Sequence, residues 1–188
     1  NIKIYNKPKK FLIQKKLRPY IKNILATIAV ISINDNIENL DENIFYDFNI
    51  PSGRGNIFKA KIKNNIINII DESYNSNPLS LSSAISNFNN ITVQNNKKHF
   101  LMGDMLELGK KTKDYHTQIS DVINKTNIDK LFVLGNYSFY TYKYLKNFKK
   151  GNILQSRQDF DEIFSNIIEK GDFLMIKGSN AIGLNVIA

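Results

Sequence analysis

His99-Phe100-Leu101-Met102-Gly103-Asp104-Met105, then Thr112–Ile123, then Leu131-Phe132-Val133-Leu134-Gly135 follow one another along the chain. The first and last are apolar runs of about four residues, each stopped by a glycine, and are too short for helices. Between them Ile119 and Ile123 lie four apart on one helical face, which they share with His116. The succession reads as strand, helix, strand. Towards the carboxyl terminus the pattern continues with a helix near Phe139–Leu145 and a short strand at Asn152–Leu154. A helix at Phe160–Ile168, a strand at Phe173–Ile176 and a final helix from Asn180 complete it. Towards the amino terminus lie strands Ile57–Ile62 and Ile66–Ile70, joined by a turn at Asn64-Asn65, and a helix from Pro78 to Phe88. Strands without polar alternation between amphipathic helices imply an α/β, Rossmann-like fold over 56–188. Its sheet is mostly parallel, with helices on both faces. No internal repeat or low-complexity tract interrupts it.

Residues 1–50 differ. Strands are expected at Ile2–Tyr5 and Phe11–Gln14, separated by a turn at Lys7-Pro8, followed by a helix from Ile21 to Ile33. Apolar positions Ile21, Ile24, Leu25, Ile28, Ala29 and Ile31 surround much of that helix, which implies burial in a larger body than 50 residues supply. Asn49-Ile50-Pro51-Ser52-Gly53-Arg54-Gly55 then concentrates breakers, so 51–55 reads as a hinge between two domains.

Of the 188 residues 42% are hydrophobic, enough for a packed core, and 23% are charged. The longest apolar run, Ile24–Ile33, falls short of the roughly 18 residues of a membrane span, so no membrane insertion is expected. The absence of cysteine excludes disulfides, thiol nucleophiles and thiolate metal sites, and is compatible with a cytoplasmic location. The net charge of +9 invites a nucleic-acid reading. Against it, arginine occurs only at 18, 54 and 157, whereas phosphate and base recognition favour the guanidinium fork. The excess is lysine, accompanied by abundant asparagine and isoleucine as AT-rich codons would give. A solvated lysine surface is the expected reading, with no nucleic-acid partner.

In an open parallel sheet, ligands gather beyond the carboxyl ends of the strands. Four loops should meet there: 71–77, Gly103-Asp104-Met105, Gly135-Asn136-Tyr137-Ser138 and Lys177-Gly178-Ser179-Asn180. Three carry a glycine at the strand end, where backbone can approach a ligand closely. Asn77 is placed to cap a helix whose first turn holds Pro78. Asp104 and Glu107 could pair as acid and base or ligate a metal, although an aspartate beside a glycine turn more often braces a loop. His116 shares its helical face with isoleucines and reads as structural. His99 carries no signal.

These loops resemble segments of the D-alanyl-D-alanine-adding members of the Mur ligase family. Asp71-Glu72-Ser73-Tyr74-Asn75-Ser76-Asn77-Pro78 is similar to D-[DE]-S-Y-N-[AS]-N-P. Gly103-Asp104-Met105-Leu106-Glu107-Leu108-Gly109 with His116 is similar to G-D-M-x-E-L-G…H. Lys177-Gly178-Ser179-Asn180 is similar to K-G-S-[RN]. Asn23-Ile24-Leu25-Ala26 and Gly53-Arg54-Gly55 fit a helix and a junction of the same family, and all stand in the family's order. The resemblance implies that 1–50 end a central ATP-binding domain and that 56–188 form the third, carboxyl-terminal domain. It implies an ATP- and Mg2+-dependent amide ligase of peptidoglycan synthesis. Such an enzyme activates UDP-N-acetylmuramoyl-tripeptide as an acyl phosphate, which the amine of D-alanyl-D-alanine attacks. No G-x-x-x-x-G-K-[ST] occurs in the chain, so a phosphate cradle and the metal ligands are expected on missing amino-terminal and central domains. The chain alone is expected to be inactive.

Carried over by position, the resemblance gives Asn23 an adenine contact, Arg54 a part in ATP binding and Asp71 the ribose hydroxyls. It places Ser73, Tyr74, Asn75 and Asn77 near the amino-acid substrate, and Lys177 and Ser179 near the incoming dipeptide. Pro19 stands where the family usually has a histidine, four residues before Asn23. Other readings are a diaminopimelate-adding or folylpolyglutamate-type ligase, a stand-alone dipeptide-binding domain, and a non-catalytic basic module. Gly135-Asn136-Tyr137-Ser138 in place of D-N-P-R argues against the diaminopimelate adders.

Overall fold

A computed structural model describes residues 2–4 and 7–187, in two compact units, Asn1–Ile50 and Pro51–Ala188. In the first unit, strands β1 (Ile2–Ile4) and β2 (Lys7–Lys9) pair antiparallel. The expected turn at Lys7-Pro8 is therefore strand, and Tyr5 lies outside the described residues. Phe11–Gln14 is not a strand but irregular chain, whose Phe11 and Ile13 pack beside Ile28, Ile37 and Phe45. Helix α1 (Ile21–Asn34) forms as expected, but Ile28 is its only buried residue among those described. Val30 and Ile33 are 62% and 75% exposed, so the expected burial of this helix is not met within this unit.

The second unit has the expected Rossmann-like α/β layout. Strands β3 (Asn56–Ile62), β4 (Asn65–Glu72), β5 (Lys98–Gly103), β6 (Lys130–Leu134), β7 (Lys150–Leu154) and β8 (Phe173–Lys177) form one sheet, ordered β3-β4-β8-β5-β6-β7. Only β3 runs antiparallel to its neighbour, because the tight turn at Lys63-Asn64 allows nothing else. Helices α2 (Pro78–Asn89), α3 (Thr112–Asn124), α4 (Ser138–Lys143) and α5 (Arg157–Ile167) supply the crossovers. Strand alternation splits the core in two. Phe100, Met102, Leu131, Val133 and Met175 face Leu81, Ile85, Phe88, Ile119 and Ile123 from α2 and α3. Leu101, Phe132, Leu174 and Ile176 face the other way, onto Phe160 and Phe164 of α5. The final helix expected from Asn180 is absent. Gly183, at φ +74°, separates two single 3-10 turns, Asn180–Ile182 and Leu184–Val186, and Leu184 is fully buried.

Three lysines depart from the expected solvated surface. Lys98, Lys149 and Lys177 are 0%, 3% and 2% exposed, and burial lowers the pKa of each. Carbonyls and a few acceptor side chains hold them. Lys98 Nζ donates to the Asn89 carbonyl and Asn127 Oδ1, both at 2.9 Å. Lys149 Nζ donates to the carbonyls of Thr126 (2.8 Å) and Ile128 (2.7 Å). Asn89 ends α2 and Thr126 follows α3, where the free carbonyls of a helix favour a cation.

Candidate functional site

The register brings the predicted loops to one edge. Glu72 of β4 lies opposite Lys177 of β8, Lys177 opposite Met102 of β5, and Gly103 opposite Leu134 of β6. The loops leaving these four strand ends therefore stand side by side.

Asp71 is the node of the first loop. It is 7% exposed, and its Oδ1 accepts from the Ser73 amide (3.0 Å) and hydroxyl (2.5 Å). Its Oδ2 accepts from the Gly53 amide at 2.8 Å, and its carbonyl from the Gly55 amide at 2.7 Å. Residues 53–55 are thus fastened to this unit rather than strung loosely before it. Gly53, at φ +74°, allows no side chain: a Cβ there would stand 2.7 Å from the Tyr74 nitrogen. The Arg54 guanidinium lies over the Tyr74 ring, 4.2 Å from its centroid, and both residues are exposed.

Around the bend, Asn75 Oδ1 accepts from the Ser76 amide at 2.8 Å. Asn77 caps α2 as expected, in a reciprocal box with Ser80. Lys177 Nζ donates to the Asn75 carbonyl at 2.9 Å and pairs with Glu72 Oε2 at 3.3 Å. Desolvation lowers its pKa, with Glu72 opposing. Ser179 Oγ accepts from the Leu106 amide at 2.9 Å, tying the β8 loop to the β5 loop. Ser76, which sequence reasoning passed over, is 3% exposed, and its hydroxyl has no partner among the described residues. The structure brings Arg54, Asp71, Ser73, Tyr74, Asn75, Asn77, Lys177 and Ser179 to one edge. Asn23 is exposed on the first turn of α1, in the other unit.

The neighbouring loops are braces. Asp104 is 3% exposed and accepts from three successive amides, Asn136 (2.9 Å), Tyr137 (3.0 Å) and Ser138 (2.6 Å), at the start of α4. His116 accepts the Met105 amide at Nε2 (3.0 Å) and donates from Nδ1 to the Thr112 carbonyl (2.7 Å), which fixes the neutral Nδ1–H tautomer. Glu107 is exposed and left-handed (φ +63°), whereas Asp104 is buried and committed to three amides. Gly103 and Gly178 pack on each other: a Cβ on Gly178 would stand 2.9 Å from the Gly103 Cα. The close approach expected of these glycines thus serves strand packing.

At the other end of the strands, His99 was without signal in the sequence. Its ring is 1% exposed, edge-on to Phe164, with Nε2 3.1 Å from Asp172 Oδ2. Burial lowers the pKa of both His99 and His116, against weaker opposition from Asp172 and the Thr112 carbonyl respectively. A histidine depressed in the fold stabilises it fully above the unfolded pKa, about 6.5. That contribution fades as pH falls through the folded value. The melting temperature should therefore fall between pH 7.5 and pH 5.5, with a shallower slope in His116→Gln. An unchanged slope would remove His116 from this account.

Residues 53–180 match the Mur ligase, glutamate ligase domain family. This chain belongs to the Mur ligase family. It is 24% identical over 170 residues to the UDP-N-acetylmuramoyl-tripeptide–D-alanyl-D-alanine ligase of Rickettsia prowazekii, covering 90% of this chain and 36% of that protein. The Bacillus subtilis ligase of the same name is 30% identical over 124 residues, covering 64% and 27% respectively. In fold, the Mur ligase chain matches a MurF ligase from Thermotoga maritima in complex with ADP, at TM-score 0.68 and 22% identity. The match covers 89% of this chain and 36% of that one. A MurF from Acinetobacter baumannii matches at TM-score 0.71 and 19% identity, over 90% and 37%. The chain thus spans about a third of the length of these relatives.

Mur ligases use ATP and Mg2+. Among the described residues no group of three or more histidines, aspartates or glutamates is gathered where it could hold a metal ion. The exposed Arg54 guanidinium does suit a nucleotide phosphate. The Asp71 carboxylate accepts from three donors, and a carboxylate has about four acceptor sites.

Proposed function

We propose that this chain is the carboxyl-terminal portion of the Mur ligase that joins D-alanyl-D-alanine to UDP-N-acetylmuramoyl-tripeptide in the cytoplasm. The observation that carries the reading is the convergence of 71–77 and 177–179 at one sheet edge, locked by Lys177 between Glu72 and the Asn75 carbonyl. Residues 1–50 would close the central ATP-binding domain, with Asn23 at the adenine, and 51–55 would be the junction carrying Arg54 to the nucleotide. ATP supplies the γ-phosphoryl group that activates the tripeptide carboxylate, held with Mg2+ mainly by parts of the enzyme outside these residues. This domain would hold the amine in line with the activated carboxylate and exclude water from it.

Within the edge, Lys177 has a third ammonium donor beyond its two intrachain bonds, which suits the dipeptide's carboxylate. Ser73, Tyr74, Asn75, Asn77 and Ser179 would shape the pocket around it. Asp71 would act chiefly by setting the position of Arg54.

The test is ADP release by the product of the complete coding frame, given ATP, UDP-N-acetylmuramoyl-tripeptide and an amine. D-alanyl-D-alanine should support turnover, whereas diaminopimelate, glutamate and L-alanyl-L-alanine should not. The 188-residue chain alone should release none. Turnover with diaminopimelate or glutamate instead would transfer the assignment to another amide ligase of the superfamily. Heat released by the isolated chain on titration with D-alanyl-D-alanine alone would favour a stand-alone binding domain.

A further inference from the structure

Residues 130–158 contain Lys130, Lys143, Lys146, Lys149, Lys150 and Arg157, seven aromatic residues, and no aspartate or glutamate. The run folds into β6, α4, a 3-10 turn at Asn147–Lys149 and β7, the outermost strand of the sheet. Its middle pairs exposed rings with lysine ammonium groups. Phe148 is 67% exposed, with the exposed Lys146 Nζ 6.0 Å from its centroid and the buried Lys149 Nζ 5.4 Å from it on the inner side. Tyr144 is 53% exposed, with Lys143 Nζ 5.6 Å from its ring, and Lys150 lies 5.5 Å from the Tyr142 ring.

We propose that this face adsorbs to the surface of an anionic lipid bilayer. Lysine ammonium groups beside exposed rings suit the boundary between headgroup and acyl chain, where the ring enters the apolar layer and the cation stays at the phosphates. The cations are strongly hydrated lysines, which act on a charged surface as a field rather than as bidentate readers of single groups. Their positions over the rings also argue against a nucleic-acid role. A base stacks on a free ring face, whereas the exposed Lys146 ammonium already approaches the Phe148 ring. Within the run no carboxylate offsets the exposed Lys143 and Lys146, while Asp129, just before it, acts on the buried Lys149. This proposal does not depend on which amine the carboxyl edge accepts.

The probe is a vesicle of phosphatidylcholine with or without phosphatidylglycerol, sedimented with the 188-residue chain. The chain should pellet with phosphatidylglycerol vesicles, release as salt rises, and ignore pure phosphatidylcholine. Lys143→Gln with Lys146→Gln should lower partitioning about 25-fold, at roughly fivefold per surface lysine. Lys59→Gln with Lys61→Gln removes the same charge from exposed positions of β3, the opposite edge strand, and should change it little. The chain has no tryptophan, so Phe148→Trp is a single reporter whose emission should shift to the blue on anionic vesicles. No pelleting, equal loss in the two lysine pairs, or an unshifted emission would each overturn the proposal. So would binding of a single-stranded oligonucleotide to this face without binding of vesicles.

Discussion

Asp104→Ala should lower the unfolding free energy by about 3 kcal/mol, among the largest effects of any single side chain at the carboxyl edge. The carboxylate accepts three consecutive amides at the start of α4 from a position 3% exposed, so its loss strands donors where water reaches them poorly. Gly135→Ala should act through the same contact. Gly135 holds φ +132°, and a Cβ there would stand 2.3 Å from Asp104 Oδ1, displacing the carboxylate from its donors. The two substitutions share one structural cause, so the double variant should lose clearly less than the sum of the singles. Urea unfolding of the 188-residue chain, followed by circular dichroism, measures all three. A shifted midpoint with an unchanged slope is expected. Additive losses would mean that Gly135 acts independently of the carboxylate.

Lys177→Ala in the complete ligase should lower kcat/KM for D-alanyl-D-alanine about 100-fold, equivalent to one charge-assisted hydrogen bond of about 2–3 kcal/mol. KM for ATP should stay within about twofold. If Lys177 only braces the 71–77 loop, Glu72→Gln, which removes its ionic partner at 3.3 Å, would reproduce the defect. If it binds the dipeptide, Glu72→Gln should retain most of the activity, because the Asn75 carbonyl still holds the ammonium. Equal losses in both variants would return Lys177 to a purely structural role.

Much of the fold was legible because the controlling forces are local. Strands β3 to β6 and β8 and helices α2 and α3 lie within about two residues of where the apolar runs and helical spacing place them. A four-residue apolar run ended by glycine has few alternatives in water. The Asn77 cap with Pro78 was equally local, involving only residues in sequence contact. The misreadings occurred where tertiary contacts outweigh local preference. Phe11–Gln14 has strand composition, yet Phe11 and Ile13 pack against the first unit's small core without a strand partner. The stretch after Asn180 could have continued as helix. Instead the left-handed Gly183 breaks it, and the burial of Leu184 beside the Gly103–Gly178 contact holds the resulting turns in place.

For the site, the sequence by itself determined the membership of the loops. A parallel strand must deliver its following residues to the carboxyl edge, so 71–77, 103–105, 135–138 and 177–180 were bound to meet. What each side chain does there was decided only by tertiary structure. Asp71 was read as a ribose ligand from its place at a strand end, but that its carboxylate also accepts from Gly53, 18 positions away, and from Ser73 emerges only in the fold. His99 and Asp172, 73 positions apart, became a buried pair that no spacing rule could announce. Lys98, Lys149 and Lys177 look like surface lysines until carbonyls from other loops surround them. The physical reason is the same in each case. Strand and helix follow from hydrogen bonds and burial along a short segment. The state of a polar group depends on which distant donors and acceptors the packed sheet brings within about 3 Å of it.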